Sequence, residues 1–307
     1  MNNRMAAHIN ISDIVYDEFY KISKSNYSHQ LRASLELSGM LEVPYLLKRD
    51  SVYYIFTCHN RIRILQESGI RKIREIKSIV LEEPDAEIFM SHLALKMYRN
   101  ELGPFGRIKG LWLLKSVFKL DPGDLNEFGL RILKLQPEIL DDNKFIENMA
   151  ALPEGLVNYI DDRDISFKII KDILALPMSW LEIINTLLKE IPVRVNIFRA
   201  MIDNLFDIYR MSADVSVIGS LEYSDDKTLN DSIFSLRYPE FSRLKGESHK
   251  IIDELSCKGL SIEFPEYLEK ASITLKLEIN KKNDLSNELK KVWDMDPEKL
   301  KKLMSLL

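Results

Sequence analysis

The residues best suited to chemistry lie between Tyr54 and Arg63, in the order Tyr-Ile-Phe-Thr-Cys-His-Asn-Arg-Ile-Arg. The β-rich run Val52 to Phe56 leads into a polar turn and then into helical spacing, with Ile62 and Leu65 on one face. A strand–turn–helix aims backbone N–H groups and the positive end of the helix dipole at one place, where an anion is stabilised. Thr57, His59 and Asn60 add polar side chains. Arg61 and Arg63 add positive charge inside the helix, Arg71, Lys72 and Arg74 follow, and Glu67 is the acid that offsets them. A phosphate group suits such a turn. Basic residues at a helix start also serve as plain solvated surface, so the same pattern is compatible with no ligand.

Other chemistries find less support. His8, His29, His59, His92 and His249 do not fall at metal-ligand spacing with one another or with Cys58 and Cys257. The glycine-rich dinucleotide and P-loop patterns and the nucleophile elbow are absent. No catalytic set and no metal set is identified. Cys58, at a helix start beside arginine, would have a lowered thiol pKa; a lone buried Cys is otherwise a small hydrophobe.

The elements that must position this turn follow from periodicity. Residues 13–39 read as helix with Gly39 as its C-cap. Val43 to Leu47 and Val52 to Phe56 read as strands around the polar turn at 48–51, Asn60 to Ser68 as a helix stopped by Gly69, and Ile73 to Leu81 as a strand. A helix from Ala86 to about Glu101 ends before Gly103-Pro104. Residues 1–106 are therefore expected as an α+β domain. Apolar-periodic blocks punctuated by Pro, Asp and Asn make residues 107–210 an all-helical domain. Residues 211–245 are polar and weakly periodic and read as a linker with little regular structure. Residues 246–307 read as a small βα module: a short helix to Ser256, the alternating strand Ile273 to Ile279, and two helices with the stripes Leu285, Leu289, Val292, Trp293 and Leu300, Leu303, Met304, Leu307.

Composition sets the outer bounds. The chain has 307 residues, 46% apolar and 29% charged, which excludes global disorder and a collagen-like chain. Its net charge of −4 excludes nucleic-acid binding through bulk charge, so any such role needs a local patch. Two cysteines make no disulfide framework and suit a reducing compartment. No run is apolar enough to span a membrane, since Ile173 to Leu181 is stopped by Glu182, and no apolar segment follows Met1 to Arg4 as in a leader. A cytoplasmic protein without a membrane partner is expected.

Residues 28–105 resemble the N-terminal domain of the ParB family of chromosome and plasmid partition proteins. That domain shows a Ser-hydrophobe pair on a helix, then Gly, a short gap and Pro, matched here by Ser34-Leu35, Gly39 and Pro44. A strand, a Gly-x-x-Arg turn and a helix follow, and some members write the turn Gly-His-Asn-Arg; here it is Cys58-His59-Asn60-Arg61. The third motif, Glu-Asn-x-x-Arg, corresponds to Leu95-Lys96-Met97-Tyr98-Arg99, ahead of Pro104. The resemblance implies the ParB/sulfiredoxin fold and a CTP switch in a divergent member. It implies that Cys58 to Arg61 cradle phosphates, that Arg61 acts as charged clamp, that Gly39 and Pro44 shape the nucleotide wall, and that Arg99 reaches the phosphates.

The departures qualify these implications. Cys58 replaces the glycine whose missing side chain lets backbone approach phosphate, and so either crowds that approach or requires a positive φ. The family's metal-serving Glu is Leu95, which argues against Mg²⁺, while Lys96 supplies a positive charge instead. At most a slow nucleoside triphosphatase is expected. The competing reading is a non-catalytic interaction module on a decayed fold. Sulfiredoxin, with a Gly-Cys-His-Arg turn, is a second relative, but aligning on Arg61 puts His59 in its cysteine slot. An ATP-dependent kinase would need a carboxylate such as Glu36 at the turn. The stretch expected to carry the family's helix-turn-helix holds Asp121, Asp124 and Glu127, so sequence-specific DNA binding is not expected there. Lys109, Lys115, Lys119, Lys168 and Lys171 offer nonspecific contacts at most, and read first as solvated lysines on helix faces. The C-terminal strand and stripes resemble the family's dimerisation module and imply a homodimer; the alternative is a tail folded back onto its own helical domain.

Overall fold

A computed structural model describes residues 4–22, 29–67, 73–257, 259–265, 272–279 and 285–307. In chain order the first part runs β1 (Arg4–Asn10), β2 (Ile14–Val15), α1 (His29–Ser38), β3 (Tyr45–Arg49), β4 (Val52–Ile55), α2 (His59–Glu67), β5 (Glu75–Leu81) and α3 (Ala86–Tyr98). The five strands form one mixed sheet in the order β1-β5-β3-β4-β2. β3 and β4 are an antiparallel hairpin, while β5 pairs parallel to β3 and antiparallel to β1. Period-two alternation places Leu46, Ile55, Ile76 and Val80 in one core, and α2 adds Ile62 and Leu65 to it. Asp85 caps α3 by accepting from the Ile88 N–H at 3.1 Å, and Arg4 reaches the same carboxylate at 2.9 Å.

From Pro104 to Arg210 the chain is helical. It forms α4 (Pro104–Ser116), α5 (Pro122–Arg131), α6 (Pro137–Leu140), α7 (Asn143–Ala150), α8 (Glu154–Asp162), α9 (Phe167–Leu174), α10 (Met178–Glu190) and α11 (Val195–Arg210). Their starts are written in the sequence. Pro opens α4, α5 and α6, and Asp121 and Asp142 accept from backbone N–H groups of α5 and α7. The start of α4 is capped from a distance: Asp161 of α8 accepts from the Phe105 N–H at 2.7 Å, and glycine at 103 leaves room for it. Further along α4, Gly106 lies against the carbonyl of Ile22 and Gly110 against Leu93 of α3. The segment 16–22 is thus pinned to α4. It also supplies Tyr20 to an aromatic cluster, 4.9 Å from Phe56 and 6.3 Å from Phe118. Phe56 directly precedes the turn, so packing on α4 continues to the candidate site.

The chain divides into a larger unit, Met1–Ser220 with Ser224–Lys227, and a smaller one, Leu221–Tyr223 with Thr228–Leu307. The smaller unit holds most of α13 (Asp226–Arg237), which follows the short α12 (Ser216–Gly219), then α14 (Pro239–Leu255), β6 (Leu260–Glu263), β7 (Thr274–Leu277), α15 (Leu285–Trp293) and α16 (Pro297–Met304). No helix among the described residues is long and apolar enough to cross a membrane.

Several expectations need correction. Residues 13–39 are not one helix: β2 pairs parallel to β4, residues 16–22 are irregular, and α1 begins at His29. Apolar residues at 14, 20 and 22 serve the sheet edge and the aromatic cluster rather than one helical face. Strand β1 is not foreseen from the sequence, because the Ala-rich run Arg4–Asn10 has little β character of its own and is ordered by β5. Residues 211–245 hold α12, α13 and the start of α14 instead of an irregular linker, and residue 106 falls inside α4 rather than at its edge. Finally, β7 finds its partner edge in β6 of the same chain, and Leu303 is buried with Ile251 and Leu255 of α14.

Candidate anion-binding site

The turn between β4 and α2 is held from outside. The backbone N–H of Tyr45 donates to Thr57 Oγ1 at 2.9 Å, while the N–H groups of Phe56 and Thr57 donate to the Tyr45 carbonyl at 3.0 and 3.2 Å. Thr57 is therefore a buried brace between β3 and the turn. Cys58 follows with φ +63°, the left-handed conformation glycine favours. A left-handed turn is thus formed without glycine, at a cost of roughly 1–2 kcal/mol for the strained residue. The Cys58 carbonyl begins α2 by accepting from the N–H groups of Arg61 and Ile62.

The Cys58 side chain is buried, and its Sγ lies 3.9 Å from Thr57 Oγ1. Burial pushes its pKa up, the nearby Glu42 adds to this, and Arg61 offsets only part. The expectation of a lowered thiol pKa is corrected: desolvation outweighs the helix start and the arginine. His59 is buried too, its Nε2 has no hydrogen-bond partner among the described residues, and desolvation holds its pKa well below the usual value. His92 on α3 is pushed down to about 3, chiefly by burial and then by Lys96, Arg61 and Arg99.

The central arrangement is an ion triad. Arg61 forms a salt bridge to Glu42, and Arg99, at the C-terminus of α3, approaches the same carboxylate oxygen at 3.6 Å. Arg61 and Glu42 are each about one-quarter exposed. A cavity of about 310 Å³ opens beside the triad, lined by Glu42, Val43, Tyr45, Thr57, His92 and Leu95 among others. Two guanidinium groups from different elements thus converge on one oxygen of Glu42, the geometry that also serves a phosphate oxygen, while Glu42, and neither of these arginines, lines the cavity.

The remaining expected residues divide between this point and elsewhere. Gly39, at φ +66°, caps α1 by donating its N–H to the Leu35 carbonyl, and the Pro44 carbonyl is held by the Ile79 N–H. Both shape the loop that delivers Glu42. Asn60 stands in the first turn of α2, partly buried. Arg63 turns away: it pairs with Glu67 at 2.7 Å and Glu18 at 3.8 Å and lies over the Tyr16 ring. Lys96 pairs with Glu101 at 2.7 Å, and Glu36 with Arg32 rather than with the turn. Gly69, Arg71 and Lys72 lie outside the described residues. No group of three metal-competent side chains occurs among the described residues.

No family model matches the chain, and no curated protein matches it either. Solved structures do. The chain is similar to C-terminally truncated chromosome-partitioning protein ParB from Caulobacter crescentus complexed to the centromeric parS site, with 11% identity, 74% of this chain and 98% of that one covered, and a TM-score of 0.32. The same protein complexed with CTP-gamma-S aligns at 14% identity over 58% of this chain and 97% of that one, with a TM-score of 0.26. A Pnob8-like ParB-N domain aligns at 13% identity over 80% of this chain and 98% of that one, with a TM-score of 0.33.

Glu42 is the site residue that sequence reasoning missed. It sits in the irregular segment between Gly39 and Pro44, where no periodicity marks a side chain's direction. No sequence signal marks it, because Arg61 and Arg99 meet at one point only in the folded chain.

Proposed function

We propose that the turn at Thr57 to Arg61 binds a nucleotide, with CTP as first candidate, or another phosphate-bearing ligand, and that binding acts as a conformational switch in a ParB-like protein of the partition or DNA-associated regulatory class. The observation that carries this reading is the convergence of Arg61 and Arg99 on Glu42, a residue that lines an open cavity, at a turn whose Cys58 adopts the glycine conformation. Leu95 stands at the cavity where the family places a metal-serving Glu, so binding without Mg²⁺ is the expectation. The acidic face of α5, with Asp121, Asp124 and Glu127, keeps sequence-specific DNA reading out of the proposal. A sulfiredoxin-like role is set aside, because Cys58 is buried and its thiol is disfavoured as a thiolate.

The test is thermal shift of the full chain with CTP, ATP, GTP and UTP, with and without Mg²⁺. A ligand at 100 times its dissociation constant adds about 2.7 kcal/mol of stability. Arg61→Ala is expected to weaken binding by roughly 1.5–3 kcal/mol. Equal binding by Arg61→Ala and wild type would show that the clamp is misplaced.

The competing reading, an interaction module on a decayed site, has its own observation: Glu42 already neutralises the arginines. In that case no nucleotide shifts the melting temperature. For the smaller unit we propose self-association, because Leu289 and Trp293, one turn apart on α15, and Ile279 after β7 are exposed apolar side chains, Trp293 at 85%. Light scattering at tens of micromolar decides this, and a monomeric full chain would exclude it.

A further inference from the structure

We propose that Glu42 is a built-in competitor of the anionic ligand, a carboxylate lock that must leave Arg61 and Arg99 before a phosphate can take its place. The inference rests on the phosphate-site reading above and adds a specificity-determining residue that the motif comparison does not contain.

Three observations support the lock. First, one oxygen of Glu42 serves both arginines, so the carboxylate stands at the point where their charges add. An anion placed there meets like charge, and the Nη1 group of each arginine already faces the carboxylate. Second, Glu42 is carried by residues 40–44, an irregular segment between the αL cap at Gly39 and the ladder bond of Pro44 to Ile79. Its two ends are fixed while its middle lacks strand or helix bonds, so the carboxylate can swing without unfolding an element. Third, the partners of the lock are anchored on regular structure. Arg61 lies in the first turn of α2 and Arg99 caps α3, so the arginines stay when the carboxylate leaves. The exposed neighbours Leu41 and Val43 move with Glu42 in such a swing, which couples ligand entry to the surface around the cavity.

The chemistry sets the ligand preference. Removing Glu42 breaks its ion pairs to two guanidinium groups, and a compact anion such as sulfate or inorganic phosphate restores both only where its oxygens span the two arginines. A pyrophosphate or triphosphate group supplies several charged oxygens and replaces the carboxylate in full. The lock therefore discriminates against sulfate, inorganic phosphate and monophosphates in favour of polyphosphate chains.

The experiment is isothermal titration of the full chain with sodium triphosphate and with inorganic phosphate, for wild type, Glu42→Gln, Arg61→Ala and the double variant. Glutamine keeps the size and removes the charge. The lock predicts that Glu42→Gln binds triphosphate at least about tenfold tighter than wild type, gains more for inorganic phosphate, and loses the gain when Arg61→Ala is added. If wild type binds triphosphate and Glu42→Gln binds it equally or more weakly, the lock is overturned and the phosphate site stands. If no variant binds either probe, Glu42→Gln included, the phosphate site itself is wrong and the lock falls with it.

Discussion

Replacing Gly106 by alanine is expected to destabilise the larger unit by about 3 kcal/mol, at the upper end for overpacking a fitted contact. A methyl group at this position of α4 runs into the carbonyl oxygen of Ile22. Backbone has no alternative rotamer, so either α4 or the segment 16–22 must move. Alanine also adds helix propensity worth about 1 kcal/mol, so the observed loss is a net of the two effects. Two companion variants isolate the cause. At Gly110 the obstacle is the Leu93 side chain, which can rotate, so Gly110→Ala should cost less than about 1.5 kcal/mol. At Gly246 nothing lies within 4 Å, and alanine should stabilise by about 0.5–1 kcal/mol. Urea unfolding of the three variants checks the ranking. A larger unit as stable in Gly106→Ala as in wild type would mean that 16–22 does not press on α4. Because Tyr20 of that segment packs on Phe56 next to the turn, Gly106→Ala should also weaken any ligand held there.

Mild acid is expected to produce the second large effect. His59 and His92 are buried and neutral, with folded pKa values depressed from 6.5, that of His92 to about 3. Unfolding exposes both imidazoles to water, where they take up protons below about pH 6.5. The unfolded chain then binds more protons than the folded one, so stability falls as pH falls. The loss begins near pH 6.5 and for His92 continues to about pH 3. At pH 5 it amounts to roughly 2 kcal/mol for His92 alone, with a further loss in the same direction from His59. Carboxylates with depressed pKa values, such as Asp85 and Glu18, lose their contribution only at lower pH, so the window from 6.5 to about 4.5 reports the histidines. Denaturant unfolding at pH 7.5 and 5.0 measures the difference, and His92→Gln should flatten it. Equal stability at the two values, within about 0.5 kcal/mol, would falsify the burial of neutral imidazoles at this turn.

The strand–turn–helix at 52–67, β5 and α3 were legible because each carries its own period and its own stop signal. Asp121 and Asp142, together with the prolines that open several helices, made the helical region legible in the same way. What escaped the sequence was what tertiary structure imposes. β1 has weak intrinsic preference and is a strand because β5 offers an edge. The run of apolar residues from Ile14 to Ile22 lends its side chains to two different packing groups, so it mimics a helical face without being one. At the site, Arg61 and Arg63 look equivalent by residue type and position alone. Yet residues two apart on a helix point to nearly opposite sides, which is why one meets Glu42 and the other Tyr16 and Glu67. Glu42 carries no periodic signal at all, and its role exists only once β3, α2 and α3 have brought the two arginines together.

The pairing of β1 with β5 has a consequence for how the protein is made. Arg4 lies opposite Leu81 and Asn10 opposite Glu75, so the first strand has no hydrogen-bonding edge until β5 has been synthesised. At about 5–20 residues per second that is a wait of several seconds, during which Met5 and Ile9 leave the ribosome before any partner exists. The helices from α4 onward are built from short-range contacts that close far faster. Birth order and intrinsic folding speed therefore run in opposite directions along this chain. In the cell the sheet has a head start that a refolding experiment, beginning from the whole unfolded polypeptide, does not reproduce.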